Sequence, residues 1–317
     1  MCASGWSDRN ARRAGRIPEV NFHGGGEPAL AWDALTGAVD YARRISSSVL
    51  FATATNGVMS RDKAEYVAKT FRMVTVSLDG PPDIQDAQRP RADGLGSFDE
   101  VMAFLEVLRQ HQTPFAIRAT ITAANVEGLA ELVEFMVHRT SCRQLHFEPA
   151  FLNGRCCRLK AGVPTPDRFG TEFIKAMDRA RALGVGLRFS PARLMGAFSS
   201  FCGCAQDAFN ITPEGDVTAC FEVSNRRDPL AETFYFGRFN RDENRFVVDR
   251  ERLARLRSMT VHNKPMCTRC FAKWSCAGDC PVKGIQSNSD GNEETPRCRM
   301  IQAITRSMLE KVVKVKS

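Results

Sequence analysis

The chain has 317 residues, 43% of them hydrophobic, enough for one large domain and a small one, and no run of about eighteen apolar residues that could cross a membrane. Its formal charge of +8 comes from arginines spread along the chain, as in 8–16 and 225–257, without an aromatic-interleaved basic stripe, so nucleic acid is an unlikely partner. Twelve cysteines without an apolar opening segment exclude a secreted disulfide scaffold and point to metal in a reducing cytoplasm.

The polar, Arg-rich stretch 1–17 is expected to be poorly ordered. Residues 18–22 then read as a short strand running into His23-Gly-Gly-Gly-Glu-Pro28. Three glycines after a strand let backbone approach a ligand closely, and Glu27 offers a carboxylate beside exposed amides. An amphipathic helix over 29–45 precedes a strand at 49–53, which ends at Thr55-Asn56-Gly57. A helix at 61–71 leads to a strand at 74–78, stopped by Asp79-Gly80-Pro81. The pattern then predicts a helix over 98–110, a strand over 115–122, a helix over 126–138 and a strand over 144–148.

The loop 149–164 carries Cys156 and Cys157, adjacent thiols whose side chains diverge and which read as structural. A helix at 167–183 and a strand at 185–189 complete the series. Short strands separated by helices, with turn residues at the strand ends, indicate parallel βα units, whose ligands bind at the carboxyl ends of the strands. Thr55, Asn56, Ser77, Asp79 and Arg118 all fall at or near those ends. Taken singly, Asn-Gly and Asp-Gly-Pro are ordinary turn formers, and Arg118 could simply pair with an acid at the core's edge.

A boundary at 191–200 hands over to a cysteine-rich region. There 208–220 reads as a β-hairpin turning at Pro213-Glu-Gly-Asp216, which would bring Cys202 and Cys220 together. A short helix at 250–257 and a terminal one at 296–315, with Met300, Ile304 and Met308 on one side, frame the remainder.

The cysteines themselves are ordered. Cys267, Cys270, Cys276 and Cys280 form C-x2-C-x5-C-x3-C; upstream, Cys202 is followed by twelve residues, Gly215, four residues and Cys220; Cys298 lies downstream. Seven thiols are too many for one tetrahedral site. Two zinc knuckles, as in a nucleic-acid-binding protein, would leave one site a ligand short unless Cys204 or a histidine joined. Cys204 also fits the spacing, with ten residues before Gly215, but Cys202 is the preferred reading.

This pattern resembles the SPASM domain, the C-terminal extension of a subgroup of radical S-adenosylmethionine (SAM) enzymes, with the signature C-x9-15-G-x4-C, C-x2-C-x5-C-x3-C and a final Cys. The resemblance implies two auxiliary [4Fe-4S] clusters. Cys202, Cys220 and Cys280 would serve the first, with Cys204 a candidate fourth ligand, and Cys267, Cys270, Cys276 and Cys298 the second. It also matches Gly25, Gly26, Glu27 and Pro28 to the family's GGEP loop, which binds the amino group of SAM. Thr55, Asn56, Ser77, Asp79 and Arg118 match positions that contact the ribose, adenine and carboxylate of SAM.

The implied fold is α/β: a partial (β/α)6 TIM-like radical SAM barrel lacking its first strand, over 18–190, then a SPASM domain with a β-hairpin and helices over 191–317. A third cluster, on C-x3-C-x2-C upstream of the glycine loop, is expected only with an intact N-terminus, because Cys2 alone precedes His23. The expectation is therefore a chain shortened at its N-terminus, rather than a degenerate relative. The implied activity is modification of a peptide or protein by hydrogen abstraction with a deoxyadenosyl radical. A flavodoxin or ferredoxin would donate electrons, and the auxiliary clusters would relay the substrate electron or hold the substrate. Sulfatase-maturing members carry an acid directly after the Cys that closes the first motif. Here that position is Phe221, with Glu222 one further on, so formylglycine formation is disfavoured, while crosslinking and plain oxidation stay open. The rival readings are a non-catalytic iron-sulfur protein derived from such an enzyme and the zinc-knuckle nucleic-acid binder.

Overall fold

The structure, a computed structural model, describes residues 15, 17–151, 162–287 and 293–316, with side chains to residue 313. The expected disorder of 1–17 falls almost wholly outside the described residues, as do Cys156 and Cys157.

Six strands form one parallel sheet in sequence order: β1 (Glu19–Phe22), β2 (Leu50–Thr55), β3 (Met73–Ser77), β4 (Phe115–Ile121), β5 (Gln144–Pro149) and β6 (Gly186–Arg188). Helices α1 (Trp32–Ile45), α2 (Arg61–Thr70), α3 (Pro82–Gln88), α4 (Phe98–Gln110), α5 (Leu129–Thr140) and α6 (Pro166–Ala182) lie between them in sequence. Alternation along the strands sorts the side chains. In β3 and β4, Val74, Val76, Ile117, Ala119 and Ile121 are fully buried in the apolar core, while Thr75, Ser77 and Arg118 take the opposite face. The core is continuous from Val39 and Phe51 through Leu108, Val133 and Phe147 to the packed rings of Phe169, Phe173 and Phe189. On the other face, residues of β1 to β5 line a hollow of about 290 Å³.

The C-terminal third builds a four-stranded antiparallel sheet, ordered β10-β9-β8-β7, from β7 (Asn210–Ile211), β8 (Asp216–Thr218), β9 (Tyr235–Asn240) and β10 (Arg245–Val248). The hairpin β7–β8 turns at Gly215, whose φ of +84° suits glycine. Around it stand α7 (Ala231–Phe234), α8 (Arg250–Arg257), α9 (Lys273–Cys276) and α10 (Pro281–Gln286). Asp249 caps α8, its carboxylate accepting from the amides of Glu251 and Arg252.

Three features depart from the sequence reading, the first being α3, which starts at Pro81-Pro82 and was not expected. The hairpin β9–β10 was not expected, because Arg238, Arg241, Asp242, Glu243 and Arg245 interrupt its apolar alternation. The last helix, α11 (Pro296–Lys316), returns to the large domain: Met300, Ile301 and Ile304 enter the barrel core, and Gly170 of α6 lets the two helices approach closely. Among the described residues, no helix is long and apolar enough to cross a membrane.

Candidate cofactor-binding site

The glycine loop leaves β1 and is pinned to the end of β2 by Glu27. Its Oε1 accepts from Thr55 Oγ1 at 2.7 Å and from the Ala29 amide at 3.1 Å, and its Oε2 from the Asn56 amide at 2.7 Å. Thr55 and Asn56 turn back on the chain in the same way, accepting from the amides of Gly57 and Val58. Thus the carboxylate of Glu27 orders the loop instead of standing free. Pro28 opens a single 3-10 turn over Pro28–Leu30. A Cβ at Gly25 would lie 2.2 Å from Ser224 Oγ, so the serine hydroxyl would have to turn away to admit a side chain, whereas a Cβ at Gly26 would meet nothing within 4 Å.

His23 packs against Phe221 in a tilted ring contact, centroids 4.0 Å apart, joining the loop to the cysteine-rich domain. Burial, aided by the Arg118 guanidinium, lowers the His23 pKa to about 4 and holds the ring neutral. Sequence reasoning did not single out this residue, although it closes β1 on the inner face.

Across the sheet, register sets Ser77 beside Arg118, Arg118 beside His146, and His146 beside Arg188. Arg118 and His146 line the hollow together with Asn21, His23 and Thr75. Asp79 departs from expectation. Only 1% exposed, it accepts from the Thr120 amide (2.8 Å), Arg89 Nε (2.8 Å) and Gln88 Nε2 (3.1 Å). Its buried carboxylate is therefore engaged in tying β3, β4 and the end of α3 together.

Glu148, also missed, has one oxygen 2.8 Å from His146 Nε2 and 2.9 Å from the Ser190 amide. Its other oxygen is buried, 4.0 Å from Lys283 Nζ. Burial would raise its pKa, but His146 and Lys283 outweigh that and keep it ionised. The signal was available, since His146 and Glu148 alternate onto the hollow's side of β5.

Eight of the nine described cysteines, all but Cys142, follow the parallel sheet in the chain, from Cys202 to Cys298. Cys204 donates to the Cys202 sulfur, which lowers Cys202 to about 7 and raises Cys204, whose other thiol neighbours are Cys220 and Cys280. Cys267 lies within electrostatic reach of Cys270 and Cys298, and Cys276 within reach of Cys298 and Cys267. The thiols thus sort into two quartets.

Between Cys276 and Cys280 the chain makes an unusual turn. Ala277, Gly278 and Asp279 are all left-handed, with φ of 54°, 83° and 58°. The turn divides the two thiols, Cys276 packing against the barrel core and Cys280 within the small core of the C-terminal domain. It is braced by the buried pair Arg297–Asp279, bidentate at 2.7 and 3.0 Å, and by Lys264 Nζ donating to the Gly278 carbonyl.

Burial pushes Cys220 up to about 11 and Cys280 to about 12, so these thiols are neutral unless a cation compensates their charge. All-sulfur donor sets, four to a set, suit iron-sulfur clusters. Among the described residues, no three His, Cys, Asp or Glu side chains close around a single metal ion, as a zinc site with bonds of about 2.3 Å requires. A cluster spreads its ligands over several irons and needs no such closure.

Residues 202–271 match the SPASM family of iron-sulfur cluster-binding domains. The chain is 24% identical over 301 residues to the serine-type anaerobic sulfatase-maturating enzyme of Klebsiella aerogenes, covering 86% of this chain and 69% of that enzyme. It spans between 40% and 69% of the length of the first curated relatives it matches. Among solved structures, native anSMEcpe with bound AdoMet and Kp18Cys peptide superposes with a TM-score of 0.69 at 16% identity, covering 94% of this chain and 84% of that one. Streptococcus suis SuiB bound to precursor peptide SuiA gives 0.58 at 17% identity, covering 94% and 70%. These likenesses establish the fold.

Proposed function

We propose that this chain, with the fold of radical SAM/SPASM maturases and a SPASM match over 202–271, serves the modification of a peptide or protein and carries two auxiliary [4Fe-4S] clusters. Cys202, Cys204, Cys220 and Cys280 hold the first, and Cys267, Cys270, Cys276 and Cys298 the second. The observation that carries this is the sorting of eight thiols into two quartets by the left-handed turn at 277–279. With four thiols each, neither cluster has an iron left open for substrate, so their work is electron relay.

SAM, when bound and reductively cleaved, supplies the power to abstract hydrogen from the substrate. The chain's own part is to bind and orient it. Gly26 offers open backbone to the amino group, on a loop that Glu27 holds in place. Arg118 presents a cation to the carboxylate, and Ser77 a hydroxyl on the same row. His23 stays neutral, so it adds no charge to repel a cationic ligand, and its contact with Phe221 joins the loop to the cysteine-rich domain. Thr55, Asn56 and Asp79 shape the rim from behind.

The 317 residues contain no C-x3-C-x2-C set, so by themselves they hold no radical cluster. A second reading is an iron-sulfur protein that keeps its clusters without cleaving SAM. A peptide or protein substrate is supported by the neighbours captured with peptides. Phe221, where sulfatase-maturing members carry an acid, points away from formylglycine formation. A flavodoxin or ferredoxin as electron donor and a cytoplasmic location complete the proposal.

Anaerobic reconstitution tests it directly. About eight irons and eight acid-labile sulfides per chain are expected; zinc without sulfide would overturn the reading. SAM should bind to the reconstituted chain in equilibrium dialysis, Arg118→Ala should weaken that binding, and no 5′-deoxyadenosine should form with reductant. Clusters without SAM binding would leave the second reading standing.

A further inference from the structure

Arg193 lies on the segment that leaves β6 and is placed between the two thiol quartets. Its Nη1 donates to the carbonyl of Phe201, the residue before Cys202, at 2.9 Å. Its Nε donates to the carbonyl of Ser275, the residue before Cys276, at 3.3 Å, and its own amide to Ser275 Oγ at 3.0 Å. One guanidinium therefore ties together the backbone leading into a thiol of each quartet.

The rings of Phe198 and Phe201, 4.3 and 5.6 Å from Cζ, flank the charge and limit its hydration. The thiols of Cys276 and Cys202 both lie within its electrostatic reach, and so does the like charge of Arg188. The remaining nitrogen, Nη2, is buried and finds no hydrogen-bond partner among the described residues. A buried, charged donor left unpaired is costly, and a native fold retains one where an acceptor is supplied from outside the polypeptide. Beside two sets of thiols, a cluster sulfur would be that acceptor.

We propose that Arg193 tunes the reduction potentials of both auxiliary clusters together, as a shared positive charge and hydrogen-bond donor wedged between them. The inference rests on the two-cluster reading above and deepens it. Reduction adds an electron to a cluster, so a fixed cation in a poorly hydrated setting favours the reduced form, and hydrogen bonds to cluster sulfur act in the same direction. Because one residue serves both sites, the two potentials are coupled through it. Electron relay between the clusters then depends on their difference, which a shared charge leaves nearly unchanged, while exchange with an outside donor depends on their common level.

The test is an anaerobic redox titration, followed by electron paramagnetic resonance, of the reconstituted full chain beside Arg193→Met and Arg193→Lys. Iron and sulfide are counted first. Arg193→Met, which keeps the stem between the phenyl rings, should retain both clusters, with both midpoint potentials shifted to lower values. Arg193→Lys, which keeps the charge, should shift both by less. Full iron in Arg193→Met with either potential unmoved overturns the proposal, since a purely structural tether would not alter them. If Arg193→Met fails to hold its iron, Arg193→Gln is titrated by the same criterion, and loss of iron in both assigns Arg193 a structural role instead. A wild-type chain that binds no clusters sinks the two-cluster reading itself, an outcome distinct from unmoved potentials.

Discussion

The two halves of the molecule are held together by different means. Of the twelve largest fully buried side chains, ten belong to the barrel and only Phe234 and Leu256 to the cysteine-rich domain. The barrel has a continuous apolar core and folds by burying it. The C-terminal domain has a small core in which Cys204 and Cys280 occupy positions a hydrophobe would otherwise fill, and its second quartet borrows the flank of the barrel. On the two-cluster reading, a domain built this way depends on metal, because its thiols displace the apolar side chains that would stabilise it alone.

The largest effect expected from this contrast is that stripping iron from the reconstituted protein abolishes amide-exchange protection in 204–287 while β2 to β5 stay protected. Loss of protection in both halves together would show that they are one cooperative unit. Next, Phe173→Ala in the barrel core should cost about 4 kcal/mol in chemical denaturation, leaving iron content unchanged. Arg297→Met strikes the other half by leaving Asp279 buried and unpaired, for about 3 kcal/mol, and should also lower iron retention. If it instead leaves stability and iron as they were, the left-handed turn does not need its brace.

The smallest effect concerns the contact between the halves. His23 titrates at about 4 folded against 6.5 unfolded, so the unfolded chain binds more protons between those values and stability falls as pH drops through that window. After allowance for solvent screening at this partly open site, the loss is about 1–2 kcal/mol. Acid denaturation of the wild type against His23→Gln isolates it: the substituted chain should lose less stability between pH 6.5 and 4.

The parallel strands were legible because Val74, Val76, Ile117 and Ile121 alternate cleanly and end at turn residues. The thiol array was legible because local spacing alone sets it apart. Long-range pairing was not. Asp79 looked like a ligand because its partners Gln88, Arg89 and Thr120 come from α3 and β4, and the Pro81-Pro82 start hid α3. Cys204 was ambiguous because a count of intervening residues cannot show that its side chain is buried beside Cys220 and Cys280. His23 and Phe221 meet across about two hundred residues, which no local pattern records.

The left-handed turn at 277–279 also orders events in time. On the proposed ligand sets, in which Cys280 joins the set begun by Cys202, that set is complete once residue 280 has left the ribosome, whereas the other must wait for Cys298. Loading of iron can therefore follow the direction of translation, one centre closing before its neighbour has all its ligands.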